Sequence, residues 1–198
     1  MKILFLVIIS FFLIACTSKE NSKHENGANL RNDSIKYAVS YKDQLKVVVD
    51  FLYWYRDYES NSHKINMVNN CTNKFDSTKF YSVNFKGTEQ YLSDMKKSGF
   101  LSEKYIEQWR TYFKQCDLSF KKNPQNDGPP EGFEYDFVMF SQDYEDDLAK
   151  LNKINIGKYK GDSNKFYLTI IFPSTQSLEF FLSINDGKWL IDDINNPL

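Results

Sequence analysis

Acidic side chains lie close together between Asp143 and Asp147, and carboxylates at such spacing can bind a divalent cation. Asp143, Glu145 and Asp147 occupy alternate positions, as the first three ligands of an EF-hand calcium loop do. That loop requires glycine at its sixth position and glutamate at its twelfth, where this chain has Leu148 and Ile154. The EF-hand is therefore excluded. A looser Ca²⁺ site and a solvated acidic turn before a short helix remain, and we predict the turn.

A thiol nucleophile with a histidine base would need a pair such as His63 and Cys71. Their spacing matches no such motif, and the histidines and cysteines of the chain show no spacing typical of zinc ligands. The sequence has no glycine-rich phosphate loop and no Gly-x-Ser-x-Gly elbow. It therefore offers no catalytic residue, metal ligand or cofactor site, which makes an enzyme the less favoured interpretation.

Aromatic side chains are abundant, with 13 Tyr, 17 Phe and 3 Trp. Bulky rings usually fill the core of a small α+β domain, and we favour that explanation. The alternative is a pocket beside the first helix. Its candidate lining residues are Tyr53, Trp54 or Tyr58 from that helix, together with Tyr105, Trp109 and Asp136.

The formal charge of the chain is balanced, with 25 basic and 26 acidic side chains. This balance gives no reason to expect nucleic acid or an anionic membrane surface as a partner.

The residues Leu13-Ile14-Ala15-Cys16 resemble the lipobox of bacterial lipoproteins. Lys2 precedes an apolar stretch, residues 3–15, which as a helix would reach about 20 Å, well short of the ~30 Å hydrocarbon core. Such a stretch is typical of a signal peptide, and an uncleaved signal anchor or a buried helix is the less favoured alternative. The resemblance implies that Cys16 is the lipidated first residue of the mature protein and its membrane anchor.

The lipobox predicts an exported, lipid-anchored protein of the cell envelope. In one bacterial sorting scheme Asp after the lipidated cysteine retains a lipoprotein in the inner membrane, and Thr17 here slightly favours the outer membrane. With Cys16 lipidated, Cys71 and Cys116 remain. They could form a disulfide across a loop of about 45 residues, or stay separate as buried thiols.

Three segments follow from this interpretation: residues 1–15 are the signal peptide, residues 16–40 a flexible polar tether, and residues 41–198 a single α+β domain. The spacing of apolar residues predicts a first helix over 41–58 with two apolar faces. Shorter helices are expected from Thr88 to Gly99 and over 103–115, and residues 133–140 are an apolar run capable of forming a strand.

Alternating apolar residues predict consecutive strands in the C-terminal third of the chain. Asp186 and Gly187 between two of them are typical of a β-hairpin. Consecutive strands with short turns indicate an antiparallel meander, so the fold class is α+β, with N-terminal helices packed on a C-terminal antiparallel sheet.

Three aromatic segments resemble an uncharacterised family of bacterial lipoproteins and secreted domains with the nuclear-transport-factor-2-like, or cystatin-like, α+β cone. They are residues 51–55 (Phe-Leu-Tyr-Trp-Tyr), 135–143 (Tyr-Asp-Phe-Val-Met-Phe-Ser-Gln-Asp) and 187–191 (Gly-Lys-Trp-Leu-Ile). The resemblance covers about residues 41–195. It implies a curved sheet wrapping the first helix, but brings no catalytic residues, and this fold serves enzymes, carriers and binding modules alike.

Two functions therefore stay open. The favoured one is a non-enzymatic binding module, with an inhibitor or immunity role as one form, whose partners are the membrane, through Cys16, and an unidentified envelope protein or peptide. The other is a small-molecule-binding or hydrolytic enzyme with a pocket beside the first helix.

The lipid anchor predicts that Cys16→Ser abolishes membrane association. Without a thiol the chain cannot carry the acyl chains, each of which contributes about 0.8 kcal/mol per buried CH₂. The measurement is the partition of the protein between membrane and soluble fractions, with Ser18→Ala as a control that leaves the box intact. A Cys16→Ser protein that stays with the membranes would contradict the anchor.

Overall fold

The computed structural model describes residues 41–61, 64–70 and 78–197. Four α-helices are present in this part: α1 Lys42–Asn61, α2 Phe85–Lys97, α3 Glu103–Lys122 and α4 Glu145–Ala149. Two short paired strands of two residues each, β1 Val68–Asn69 and β2 Ser82–Val83, precede α2. A 3-10 turn, Leu151–Lys153, follows α4. The main sheet consists of β3 Asn155–Gly161, β4 Lys165–Ile171, β5 Ser177–Asn185 and β6 Lys188–Asn195.

The α+β class is confirmed. The helices come first, and the last four strands form an open antiparallel meander in the order β3-β4-β5-β6. This arrangement is consistent with a cone-like fold in which a curved sheet faces the helices. None of the helices in the described residues is both long and apolar enough to cross a membrane.

Helix α1 is long, as predicted, because apolar residues recur on it at helical spacing. Val48, Phe51, Leu52 and Tyr55 are fully buried. At its start, the Tyr41 hydroxyl donates a hydrogen bond to the carbonyl oxygen of Gly161 (3.2 Å). The helix also contacts β6 and α4, so it is covered by the sheet along part of its length.

The sheet buries one face, which its register explains. Phe166, Leu168 and Ile170 of β4 lie opposite Leu182, Phe180 and Leu178 of β5, and all six are buried. Because successive side chains of a strand point to opposite faces, these pairs form a single apolar layer under the helices.

The predicted hairpin between β5 and β6 is confirmed. Asn185 pairs with Lys188, and the two intervening residues, Asp186 and Gly187, have φ angles of 50° and 77°. Positive φ at both positions is the type I′ geometry, which fits the right-handed twist of the flanking strands.

Neither edge strand of the sheet presents a regular unpaired edge along its whole length. At β6, residues 100–102 lie alongside the strand: the Ser102 amide donates to the Ile191 carbonyl (2.9 Å), and the Ile191 amide donates to the Phe100 carbonyl (2.8 Å). At the opposite edge, β3 has a register shift between Ile156 and Tyr159.

The two middle helices begin at side chains that accept hydrogen bonds from their first turns. Ser102 caps α3, whose start at Glu103 agrees with the predicted helix, by accepting from the Tyr105 amide (3.3 Å). Helix α2 starts earlier than predicted, because Asn84 and not Thr88 caps it, accepting from the Gly87 amide (3.2 Å). It ends before Gly99, whose φ of 75° fits the predicted C-terminal glycine.

Residues 133–140 form turns, and the strand-capable interpretation of this run is wrong. The Asp136 carboxylate accepts hydrogen bonds from the amides of Val138 (2.9 Å) and Met139 (2.6 Å), and the Phe140 amide donates to the Asp136 carbonyl (2.9 Å). A side chain that bonds its own backbone in this way competes with strand formation.

A close contact fixes residues 64–68 against the start of α2. Asn84 donates from its side chain to the Asn66 carbonyl (2.8 Å) and from its amide to the Met67 carbonyl (2.8 Å). Gly87 faces the Asn66 carbonyl so closely that a Cβ on Gly87 would lie 2.1 Å from its oxygen. Only glycine allows this approach.

Gly87→Ala should therefore lower the free energy of unfolding, by about 1–3 kcal/mol, because the added methyl must displace residues 64–68. Chemical denaturation measures this. The direction of the change tests the close contact, since alanine in a helix without a clash would raise the free energy of unfolding by about 1 kcal/mol. Lys86→Ala, at the exposed neighbouring position, is the control and should change little.

Candidate functional site

A cavity of about 590 Å³ opens beside the C-terminal half of α1. Its walls are the end of α1, residues 64–68, Tyr91 of α2, the loop from Pro130 to Phe137 and Tyr144. This volume lies in the range typical of small-ligand sites. Besides Lys64 and Asn66, the polar groups of the lining are tyrosine hydroxyls and carboxylates. They are Tyr55, Tyr58, Tyr91, Tyr135 and Tyr144, with Glu59 and Asp136.

Helix α1 supplies three of these side chains because of their spacing. Tyr55, Tyr58 and Glu59 are three and four positions apart, which places them on one face of the helix. The rings of Tyr55 and Tyr58 lie 6.2 Å apart at an interplanar angle of 25°. Trp54 stacks on the Tyr58 ring at 5.2 Å. The helix therefore presents a row of ordered rings that ends in a carboxylate.

Asp136 is held in place through both of its oxygens. One accepts the Val138 and Met139 amides, and the other accepts the hydroxyl of Tyr55. Burial raises the pKa of Asp136 to about 6, although these three hydrogen bonds favour the charged form. The charge of Glu59 raises this pKa further.

Glu59 is oriented by one hydrogen bond. The Tyr144 hydroxyl donates to its Oε2 atom (2.8 Å). In the described residues no donor reaches Oε1 of this carboxylate, and Glu59 is only partly buried. Its free oxygen is thus available to a ligand in the cavity.

Two buried hydroxyls, those of Tyr91 and Tyr105, have no hydrogen-bond partner among the described residues. Tyr91 lines the cavity and is only 5% exposed. An unsatisfied buried hydroxyl costs about 1–3 kcal/mol, so it is a feature that proteins seldom retain without reason.

The hydroxyls of Tyr55, Tyr58 and Tyr91 stay protonated at neutral pH. Burial is the main reason that the pKa values of Tyr55 and Tyr91 lie well above the usual value, and the charge of Asp136 adds to it. Burial also raises the pKa of Tyr58 to about 12, with contributions from Asp94 and Glu59. These hydroxyls are therefore hydrogen-bond donors in a region of negative potential.

The structure places the candidate pocket residues in several different locations. Asp136 and Tyr58 line the cavity. Tyr53 lies under the guanidinium of Arg56, whose Cζ is 5.0 Å from the ring centre. Trp54 packs on the core, partly buried.

The other two candidates come from α3 and lie away from the cavity. Tyr105 is buried in the core, next to Trp109. Trp109 lines a separate, more open depression with Phe140 and Ile194. Its ring is also in contact with Phe137 (centroids 5.1 Å apart), so most of this aromatic cluster is filled core.

Tyr55, Glu59, Tyr91 and Tyr144 line the cavity but were not predicted from the sequence. The first two could have been found, because Tyr55 and Glu59 are four positions apart on the helix face that also holds Tyr58. Tyr91 and Tyr144 belong to separate elements, and nothing local in the sequence connects them to α1.

The acidic run does not assemble as a cation site in the described part of the chain, where no group of three potential metal ligands occurs. Asp147 is buried and accepts hydrogen bonds from the Ser174 amide (3.1 Å) and hydroxyl. Asp146 pairs with Lys150 at 2.8 Å, one turn along α4. Both carboxylates thus have structural roles at the short helix.

Cys116 is buried beside Tyr112, and its Sγ atom would lie 2.8 Å from a Cβ at position 132, where the chain has glycine. Burial raises the pKa of its thiol. Cys16, His63 and Cys71 lie outside the described residues, so the lipidation and the disulfide stay predictions.

Three comparisons were made with known proteins: no family model, no curated protein and no solved structure matches the chain.

Asp136 should make the stability of the domain fall as pH rises between about 4 and 6. In this window the folded state keeps a proton that the unfolded carboxyl, with its usual pKa of 3.8, has already lost. The expected slope is about 1 kcal/mol per pH unit at most. Asp136→Asn removes the titration but keeps one oxygen for the Val138 and Met139 amides.

The measurement is the free energy of unfolding of both proteins from pH 4 to 7. The difference in free energy of unfolding between the wild type and Asp136→Asn should change in favour of the variant as pH rises. Above pH 7 this difference should be constant. A difference that does not vary across the window would contradict the raised pKa.

Proposed function

We propose that this chain is a lipoprotein of the bacterial cell envelope whose α+β domain is a non-enzymatic binding module. Cys16 carries the lipid, residues 16–40 form the tether, and the cavity beside α1 is the recognition site. The domain belongs, in this proposal, with the cone-fold lipoproteins that its aromatic segments resemble.

The observation that carries the binding function is the cavity between Tyr55, Glu59, Tyr91 and Asp136. It is large enough for a small ligand or a side chain, and its polar groups converge from three separate elements. Buried polar groups of this kind cost stability, and proteins tend to concentrate such costs at sites of function.

The state of Asp136 favours binding over catalysis. A general base needs a free lone pair directed at the proton it takes. Here one carboxylate oxygen accepts two backbone amides and the other accepts the Tyr55 hydroxyl. These three hydrogen bonds occupy most of the roughly four acceptor sites of a carboxylate. Asp136 therefore chiefly holds the shape of the loop, and its charge reaches the cavity through space.

The lipid anchor and the tether define which molecules the domain can meet. A flexible chain of about 25 residues has an average end-to-end distance of about 25–30 Å, so the anchor would keep the domain near the bilayer. Its partners are then components of the envelope, and an inhibitor or immunity role against an envelope protein is one form of this function.

A hydrolytic enzyme is the second candidate, supported by the pKa of about 6 for Asp136 at the cavity. In that case a proton would pass to Asp136 after the Tyr55 hydroxyl had moved away. The two functions differ in one respect: an enzyme would convert a bound substrate into products, whereas a binding module would release its ligand unchanged.

Blocking the cavity should abolish binding without unfolding the domain. Ile65 lines the cavity and is partly exposed, so Ile65→Trp places a large ring at its entrance. The measurement is the set of envelope components that co-purify with the tagged, membrane-anchored protein, identified by mass spectrometry. At least one component should fall about tenfold in the variant.

Ile156→Trp is the matched control, since Ile156 is 48% exposed on β3 and does not line the cavity. It should retain every component that the wild type binds. If Ile65→Trp and the wild type retain the same components, the cavity is not the binding site.

A further inference from the structure

We propose that the cavity beside α1 binds an organic cation, whose ammonium group lies between Glu59 and the tyrosine rings. The inference rests on the proposed binding function and adds the chemical class of the ligand. A free amine or quaternary ammonium compound and the side chain of lysine both present this group.

The charge of the cavity lining is the first reason to expect a cation. Glu59 and Asp136 contribute two carboxylates to one cavity, whereas among the described residues Lys64 is the one lysine of its lining, and its side chain is exposed. In the described residues no ion pair joins Lys64 to either carboxylate. A cation in the cavity would therefore offset negative charge that the protein itself leaves unpaired.

The free atoms carry the second step. Oε1 of Glu59 accepts no hydrogen bond from the described residues, and the Tyr91 hydroxyl, 5% exposed, has no partner either. The Glu59 oxygen can accept a hydrogen bond from a ligand, whereas the Tyr91 hydroxyl is itself buried in the cavity wall. A primary ammonium group, with three donors and no acceptor, is suited to the free carboxylate oxygen.

The rings carry the third step. Five tyrosines line the cavity, and the faces of aromatic rings attract cations because of their quadrupole. Aromatic rings combined with a carboxylate are the usual means by which proteins bind quaternary ammonium groups. Anionic ligands are disfavoured by the same charges, and neutral ligands gain nothing from them.

The electrostatic environment supports this choice. The charges of Asp136 and Glu59 add to burial in raising the pKa values of Tyr55, Tyr91 and Tyr144. Negative potential thus extends across the cavity, from α1 to the residues that face it. The hydroxyls of Tyr55, Tyr91 and Tyr144 remain protonated, so they are neutral and the negative charge comes from the carboxylates.

The test compares cations with neutral molecules of the same shape. The full-length protein in a non-ionic detergent is titrated calorimetrically with choline and with its isostere 3,3-dimethyl-1-butanol. A second pair is Nα-acetyl-lysine methylamide and Nα-acetyl-norleucine methylamide. At least one cation should bind about tenfold more tightly than its neutral counterpart. Tighter binding of choline indicates a free ammonium compound, and tighter binding of the lysine amide indicates a lysine side chain.

Two variants assign the binding to this cavity. Glu59→Gln should weaken cation binding about tenfold, whereas Asp43→Asn, an exposed carboxylate at the other end of α1, should leave it unchanged. The side-chain oxygen of Glu59→Gln can still accept the Tyr144 hydroxyl, so the melting temperature of this variant should stay close to that of the wild type. Weaker binding at an unchanged melting temperature separates a role in binding from damage to the fold.

Equal binding of cations and their neutral isosteres would overturn the inference but leave the proposed function standing, because the cavity would still bind. Failure of both cations to bind would also overturn it. The proposed function is then decided independently, by whether Ile65→Trp loses an envelope component.

Discussion

The hydrogen bond between Tyr55 and Asp136 joins parts of the chain that are 81 residues apart. The other oxygen of the same carboxylate holds the amides of Val138 and Met139, which bend the apolar run 133–140 into turns. One side chain thus determines the shape of a loop and fastens that loop to α1. The cavity lies beside this junction, between the end of the helix and the turned loop.

Carboxylates and unpartnered hydroxyls next to a core lower the free energy of unfolding, so other contacts must offset this loss. Charged and hydroxyl groups lose hydration when they are buried, at a cost of kilocalories per group. Directly behind the cavity, Phe137 of the same loop contacts Trp109 (5.1 Å) and Phe113 (5.3 Å), and Phe113 stacks on Phe133 (5.7 Å). These large apolar contacts offset the cost. The high aromatic content of the sequence therefore serves the core chiefly, and the tyrosines near its border serve the cavity.

The parts of the fold that could be predicted from the sequence are those specified by local patterns. The spacing of Val48, Leu52 and Tyr55 indicates α1, and the alternation along β4 and β5, with Asp186 and Gly187 in the turn, indicates the hairpins. The loop at Asp136 could not be predicted in this way, because its apolar residues also suit a strand. The competing interaction is a hydrogen bond between a side chain and its own backbone. The cavity was harder still, since its residues come from α1, α2 and two loops, and only the three-dimensional arrangement brings Tyr91 and Tyr144 to Glu59.

The edges of the main sheet bear on how copies of this protein behave when they are concentrated on a surface. An unpaired edge strand can pair with the same strand of a neighbour, and two-dimensional confinement makes such encounters frequent. Residues 100–102 cover part of the β6 edge through their hydrogen bonds to Ile191. The β3 edge is interrupted by its register shift and carries Lys158 and Lys160, whose charges repel a second copy. Both edges are thus protected against pairing with a second copy, so that crowded molecules would remain separate domains.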